Sequence, residues 1–210
     1  MESSAKQTKL WGILESKMPH DVDSINNACC EAEVLLGRIP DTFPTYTLHD
    51  ATHSKNVCDL MFNLLGDQAN ELTGLEAAFL ILSAFYHDIG MVYTLEEKTN
   101  LLNSQQFSEF RKEHRYANDK IKANNGQIPD DIAELFFRKI HPQRIGQIPD
   151  LIIGGVPIKR ELAMLCKSHG DNVAKILGDE YKELTDFDRE SADMVFCAIL
   201  LRLADILDFD

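Results

Sequence analysis

The sequence predicts an all-α fold, and three observations support this prediction. Apolar residues recur every three or four positions through most of the 210-residue chain, which is the spacing of a buried helix face. No segment shows the convincing alternation of apolar and polar residues that a half-buried strand requires. Glycine and proline stand at the breaks between the periodic segments, where helices end and begin.

Eight helices are predicted in chain order. They cover residues 6–17, 24–36, 48–65, 74–88, 104–124, 130–140, 158–168 and 189–207. Gly66, Gly126 and Gly170 are placed to stop helices, and Pro129 and Pro157 are placed to start them. The segments expected to form ordered loops are residues 40–44 and 146–157.

The chain is long enough for one substantial core, since 44% of its residues are hydrophobic. We expect residues 1–45 to form N-terminal helices that pack on a core domain of residues 46–210. The chain stops directly after an apolar helix, which favours a domain cut from a longer polypeptide over a complete short protein. A C-terminal partner module or a homo-oligomer would both be compatible with this organisation.

The composition restricts the partners. A formal charge of -13, from 34 acidic and 21 basic residues, opposes binding to a nucleic-acid backbone or an anionic membrane surface, so a nucleic-acid partner would need a locally basic pocket. The five cysteines are odd in number and lack CxxC spacing, which is typical of reduced core residues in a cytoplasmic protein. Neither a signal peptide nor a run of about 18 uncharged apolar residues is present.

The most informative residues are an adjacent histidine and aspartate, His87 and Asp88, at the end of the predicted helix 74–88. This helix is apolar on nearly all sides, Thr73 and Glu76 have the spacing of a capping box at its start, and Gly90 is placed to end it. An imidazole and a carboxylate inside the fold are costly unless something binds them, and a metal ion is the favoured partner. The alternative, which is commoner for an isolated pair, is a core histidine hydrogen-bonded to the neighbouring carboxylate.

Two more apolar helices carry isolated polar residues. Along the apolar face of the helix 48–65, steps of four residues reach His53 and His49, so both histidines are expected to point toward the core. Asp205 is embedded in the last apolar helix in the same way. Neutral imidazoles and carboxylates from three helices suit a divalent transition metal or Mg²⁺, and no cysteine ligand is needed.

In their order along the chain, these residues resemble the HD-domain metal-dependent phosphohydrolase superfamily, whose signature H…HD…D lies on an all-helical bundle. The matching segments are His-Ser-x-x-Val at His53, His-Asp-Ile-Gly at His87 and Leu-Arg-Leu-Ala-Asp-x-Leu-Asp at Asp205. The resemblance covers residues 46–208. Its last segment looks especially like HD domains that precede chaperone-like or gyrase-like ATPase modules.

The resemblance implies four ligands of one divalent ion, which are His53, His87, Asp88 and Asp205. The ion would be Mn, Mg, Fe, Zn or Co. Some subfamilies hold a second ion through two further histidines, with the aspartate of the pair as a bridge. His141 and His169 are the candidates here, although each alone is more often a helix-end or surface residue, so one ion and two ions both stay open.

The implied chemistry is attack on phosphorus by hydroxide, because a divalent ion lowers the pKa of water toward neutrality. Asp88 would also orient the water, and His49, His114 and His169 are candidates for the general acid. His114 lies among charged residues that could simply form a solvated face. Basic residues near the motif histidines favour a phosphate cradle, although each could instead pair with a nearby acid on a helix surface. The substrate-binding candidates are His49, Lys55, Arg111, Arg115, Arg138, Lys139, Arg144 and Lys167.

The expected function is hydrolysis of a phosphoester or phosphoanhydride bond in a small nucleotide-type substrate. A catalytically silent module that senses a nucleotide or a metal is an alternative, and a turnover assay distinguishes the two. A further alternative is a zinc hydrolase that uses His49-Asp50-x-x-His53 as a variant of the H-E-x-x-H motif. Against it, aspartate is one methylene shorter than glutamate and no third ligand motif follows. The metal ligands do not identify the substrate.

Overall fold

An apolar helix, α5 (Gly74–Tyr86), runs through the centre of the fold, and all of its residues except Glu76 are buried. The computed structural model of the protein describes residues 1–43, 51–181, 185–187 and 190–208. Helices dominate these ranges, which confirms the all-α prediction. Within the same ranges, no single helix is both long and apolar enough to cross a membrane.

The helices follow one another with short connections. In chain order they are α1 (Lys9–Lys17), α2 (Val22–Leu36), α3 (Ile39–Thr42), α4 (Ala51–Leu65), α5, α6 (Leu95–Asn100), α7 (Gln105–Glu113), α8 (Arg115–Ala123), α9 (Asp130–Ile140), α10 (Lys159–Ser168), α11 (Val173–Ile176) and α12 (Met194–Leu207). Helices α1, α2, α4, α10 and α12 all pack against α5. Short 3₁₀ turns continue the chain after α5 (Ile89–Met91) and after α9 (His141–Gln143).

Two predicted helices differ most from the structure. The segment 104–124 forms two helices, because His114 takes φ -111° and ψ 73°, which lie outside the helical region. The last helix begins at Met194, five residues later than predicted, where the Asp193 side chain accepts a hydrogen bond from the Phe196 N–H at 2.9 Å. The prediction also missed α3, α6 and α11, since helices of four to six residues are too short to show a periodic pattern.

Two antiparallel hairpins were also missed. One pairs β1 (Ile152–Ile153) with β2 (Val156–Pro157), and the other pairs β3 (Thr185–Phe187) with β4 (Glu190–Ala192). Strands of two or three residues carry no detectable alternation. The prediction of a loop at β1 and β2 and of a helix at β4 is therefore wrong for a local reason, and no prediction was made for β3. The turn of the first hairpin is Gly154-Gly155, and both residues have positive φ, as tight hairpin turns require.

The start of α5 is fixed by the predicted capping box. The Thr73 hydroxyl accepts the Glu76 N–H at 3.0 Å, and the Glu76 carboxylate accepts the Thr73 N–H at 2.9 Å. Glu76 also accepts the N–H of Asp193, the N-cap of α12, at 3.1 Å. The starts of α5 and α12 are therefore joined, and both helices carry predicted metal ligands at their other ends.

The five cysteines form no disulfide. Four of them are buried, and Cys30 is half-buried. Burial raises the pKa of the Cys58 and Cys166 thiols well above their ordinary value, so these side chains remain protonated and apolar in character. This is the core role that the sequence predicted for them.

Candidate metal centre

The six side chains predicted as metal ligands form two adjacent groups. Within each group, the possible ligand atoms lie within 4.8 Å of one another. The first group consists of His53, His87 and Asp205, and the second of Asp88, His141 and His169. The structure therefore brings together the four residues implied for one ion and both histidines considered for a second ion.

Five helices deliver these six residues. His53 lies in the first turn of α4, and Asp205 lies in the last turn of α12. The other four follow the C-terminal ends of helices: His87 and Asp88 after α5, His141 after α9 and His169 after α10. Because a helix C-terminus carries partial negative charge, three helix ends that meet here favour a cation.

Three of the histidines are oriented by the same local hydrogen bond. His87, His141 and His169 are each the first residue after a helix, and each directs Nδ1 at the backbone carbonyl three residues earlier. These carbonyls belong to Ala84 (3.0 Å), Arg138 (2.6 Å) and Cys166 (2.5 Å). A carbonyl only accepts, so Nδ1 carries the proton and the neutral ring presents the Nε2 lone pair on its far side.

His53 reaches the same state through a carboxylate. Its Nδ1 lies 2.7 Å from Oδ2 of Asp208, three residues beyond Asp205. Sequence reasoning gave Asp208 no role, although it lies within the motif segment that ends the resemblance. Hydrogen bonds of this kind hold metal-binding histidines in the correct tautomer and orientation.

The four Nε2 atoms face one another in pairs. Nε2 of His53 lies 3.2 Å from Nε2 of His87, and Nε2 of His141 lies 2.7 Å from Nε2 of His169. Lone pairs at these distances repel unless a proton or a metal cation lies between them. The geometry thus fits bound cations on the chemistry of its donors alone.

Asp88 lies between the two groups. Its Oδ2 is 3.2 Å from Nε2 of His87, and its Oδ1 is 3.2 Å from Nε2 of His141. Asp205 completes the first group, with Oδ1 at 3.4 Å from His53 and 3.5 Å from His87. One carboxylate oxygen of Asp88 therefore faces each group, which is the arrangement of a bridging ligand.

The pKa values show how strongly the site attracts positive charge. Burial lowers the pKa of His87, but the charge of Asp88 and the hydrogen bond to Asp205 raise it by more. The pKa of His87 therefore lies well above its ordinary value. Burial raises the pKa of Asp205, yet hydrogen bonds from His53 and His87 bring it well below its usual range. Protons thus occupy the place that cations would take, and metal binding would displace them.

His169 behaves differently. Burial and the charge of His87 lower its pKa to about 4. The ring is therefore neutral at pH 7, which is the form a metal requires. Its Nε2 faces His141, so the structure favours the ligand role predicted for His169 over the general-acid role.

The site is closed on most sides. The side chains of His87, Asp88, His53 and His169 are between 1% and 6% exposed, whereas those of His141 and Asp205 are 14% and 18% exposed. Among the six side chains, those of His141 and Asp205 are therefore the most accessible to solvent.

Two glycines allow the helix ends to meet. Gly90 was predicted to end α5, but the helix ends at Tyr86 and Gly90 does not have positive φ. A Cβ at Gly90 would overlap the His141 carbonyl, and one at Gly170 would overlap the Pro142 ring. Both glycines are therefore required for close packing beside the ligands.

Two arginines brace the same region. Arg202, one turn before Asp205 on α12, donates to the carbonyls of Ser168, His169 and Asp171 beyond α10. Arg144 donates to the carbonyls of Gly90 at 2.5 Å and Val92 at 2.9 Å, and to Glu97 at 2.5 Å. The sequence predicted Arg144 as a substrate-binding residue, but these bonds occupy its guanidinium and favour a structural role. Arg202 was not predicted, although a lone charge in an apolar helix is the signal that identified Asp205.

The remaining candidates lie around the centre rather than in it. Lys55 pairs with Asp59 at 2.7 Å, and Lys139 pairs with Glu113, so these two lysines already have partners. The His114 ring packs on Phe110, with 4.5 Å between ring centroids, and its described contacts include none of the six ligands. Arg138 is exposed near the end of α9, and Lys167 is half-buried near the end of α10. Arg111 and Arg115 line a separate groove. His49 and Asp50 fall outside the described residues.

Comparison with known proteins agrees with the motifs. A model of the HD-CE family matches residues 43–210, a range that contains all six predicted ligands. No curated protein and no solved structure matches the chain. The match covers most of the chain and agrees with the HD-domain resemblance on which the ligand prediction rested, so the chain belongs to the HD-CE family.

Proposed function

We propose that this protein is a metal-dependent phosphohydrolase with a binuclear centre, and that it cleaves a phosphoester or phosphoanhydride bond of a nucleotide-type substrate. The observation that carries the proposal is the position of Asp88, whose two oxygens each lie 3.2 Å from a histidine Nε2 of a different group. Two ions held on one carboxylate are a recurring arrangement in phosphate-cleaving enzymes.

The protein's own residues have distinct tasks in this proposal. A pair of divalent ions would supply positive charge for the phosphoryl oxygens and lower the pKa of water toward neutrality. Asp88 fixes the spacing of the two groups, and the Nδ1 hydrogen bonds of the four histidines fix the ring orientations. The buried end of α5 excludes bulk water from one side, so the phosphate approaches along the side of His141 and Asp205.

The proton for the leaving group has no assigned source among the six ligands. His114 and His49 stay predictions for this role. Replacing His114 by glutamine tests its role. If His114 is the general acid, kcat/KM of the wild type should fall at alkaline pH, and the variant should lack this fall. An unchanged pH profile in the variant would remove His114 from the mechanism.

The central experiment measures metal content and hydrolysis together. Purified protein is loaded with Mn²⁺, Mg²⁺, Fe²⁺, Zn²⁺ or Co²⁺ and tested on phosphomonoesters, phosphodiesters, cyclic nucleotides and nucleoside triphosphates. We expect two ions per chain in the wild type, one in His141→Ala and one in His53→Ala. Asp88→Ala should weaken the binding of both ions. It should also reduce kcat/KM by more than the roughly 10- to 100-fold that loss of an outer hydrogen-bond partner costs.

His20→Ala is the matched control, because His20 is exposed and lies outside both groups. It should retain two ions and full activity. Two tightly bound ions without hydrolysis of any substrate would favour the sensing module over the enzyme. Two ions in His141→Ala would contradict the binuclear assignment itself.

A further inference from the structure

A groove outside the metal centre concentrates positive charge. It runs along α7 and α8 with a volume of about 670 Å³, and Arg111, Lys112, Arg115 and Lys122 line it together with Asn118. Asp119 is the single acid among its described lining residues. None of these residues belongs to the six predicted metal ligands.

The four cationic side chains have no ion-pair partner among the described residues. Within the described part of the chain, no carboxylate lies within 4.0 Å of any of them, whereas the nearby Lys120 pairs with Asp131. The chain carries a formal charge of -13, so carboxylates are abundant, yet Asp119 is the single acid among the described lining residues against four cations. Like charges gathered around one concavity repel, and an anion bound there relieves the repulsion.

Arg111 gives a second, independent indication of a ligand. Its Nε is buried and has no hydrogen-bond partner. Its guanidinium lies over the Phe107 ring at 5.7 Å, and its carbonyl accepts the Asn118 side chain at 3.2 Å, which joins α7 to α8. A buried donor without an acceptor is costly, and an anion in the groove would supply acceptor oxygens to this guanidinium.

The lining chemistry favours phosphate groups. Arginine guanidinium groups match phosphate oxygens in pairs, and lysines add charge without fixed geometry. No aromatic ring lines the described part of the groove, so it offers no surface on which a base could stack. The volume is that of a small-molecule site, and the acidity of the rest of the chain opposes a long nucleic acid.

We propose that the groove between α7 and α8 binds the polyphosphate part of a small molecule, at a site separate from the metal centre. The proposal does not rest on phosphohydrolase activity. Its ligand class is a linear chain of phosphates, whether free or attached to a nucleoside.

The test uses inorganic tripolyphosphate and metal-free protein in chelator, with binding followed by titration calorimetry. We expect one tripolyphosphate per chain, and at least tenfold weaker binding in the double variant Arg111→Gln/Arg115→Gln. Lys120→Gln is the control, since Lys120 is on the same helix as Arg115 but pairs with Asp131. It should bind as the wild type does, and circular dichroism should show that all variants remain folded.

Other results would overturn the proposal. These are the absence of binding, equal binding in the double variant, or equally tight binding of orthophosphate. Loss of binding in His141→Ala would place the tripolyphosphate at the metal centre instead. A single-stranded RNA oligomer that binds more tightly than tripolyphosphate, with affinity growing with length, would show a nucleic-acid surface rather than a small-molecule site.

Discussion

Replacing Asp208 by asparagine removes the charge behind His53 while keeping the size of the side chain. In the wild type, Oδ2 of Asp208 accepts the Nδ1 proton of His53 at 2.7 Å, and the two side chains are 17% and 6% exposed. An asparagine oxygen would accept this proton without a charge. Its amide nitrogen would donate to Nδ1 and so move the ring proton to Nε2, where the lone pair is needed for a metal. Either orientation weakens His53 as a ligand.

The expected magnitude follows from this geometry. Loss of an outer hydrogen-bond partner costs metal-binding histidines roughly 10- to 100-fold in affinity, or about 1.4–2.7 kcal/mol. The contact is short and mostly buried, so we expect Asp208→Asn to fall in the upper half of that range for the ion of the first group. The ion of the second group should change little, because the described side-chain contact of Asp208 is with His53, which belongs to the first group.

The assay is competition between the metal-free protein and a chromophoric chelator, fitted to two sites. Asp59→Asn is the matched control, since Asp59 lies on α4 like His53 but pairs with Lys55 and is 35% exposed. The orienting role of Asp208 would be refuted if Asp208→Asn bound both ions like the wild type, or if Asp59→Asn lost as much affinity.

Three other predictions concern stability. Gly90→Ala should lower the free energy of unfolding in urea by about 1–3 kcal/mol, because its Cβ would overlap a backbone carbonyl. Gly12→Ala is the control, since Gly12 faces open space on α1, and it should be neutral or stabilising. Equal effects of the two substitutions would contradict the packing argument. Arg202→Gln should cost about 1–3 kcal/mol through three lost carbonyl bonds, and a loss under about 0.5 kcal/mol would show that they contribute little. In chelator, urea midpoints should be highest near pH 6.5. The pKa of His87 is raised, so its contribution to stability is complete below the ordinary histidine pKa of 6.5 and is lost as the pH rises above it. The pKa of His169 is lowered to about 4, so its contribution is lost as the pH falls from 6.5 toward 4. A steady trend between about pH 5 and pH 8 would contradict this assignment.

Three of the predicted ligands, His87, Asp88 and Asp205, could be predicted because their surroundings made them conspicuous. His87 and Asp88 follow a helix whose residues are buried except for Glu76, and Asp205 lies in a helix that is apolar along most of its length. A polar group in such a place is costly unless it is bound, so the amino-acid pattern by itself indicates a site at each of them. His141 and His169 had weaker signals, since their helices are amphipathic, and only the folded chain brings them to Asp88.

The parts that could not be predicted share a different physical cause. The break at His114 changes one pair of backbone angles and leaves the apolar pattern on both sides intact. Helix α6 and strand β1 are too short to show a period. Gly90 was interpreted as a helix stop because a glycine's need for close packing depends on a neighbour distant in sequence, here His141.

The residues that orient the ligands were missed for a related reason, and this has a consequence for metal binding. Three histidines are held by backbone carbonyls, which every residue possesses, so no residue type in the sequence marks them. Each of these bonds also joins a histidine to the last turn of its own helix. The direction of each Nε2 is therefore set by where α5, α9 and α10 end, and a helix that shifts carries its ligand with it. Metal affinity and the packing of these helices must then be coupled. Gly90→Ala, whose Cβ would press on the backbone of His141 rather than on its imidazole, should therefore also weaken binding of the second ion.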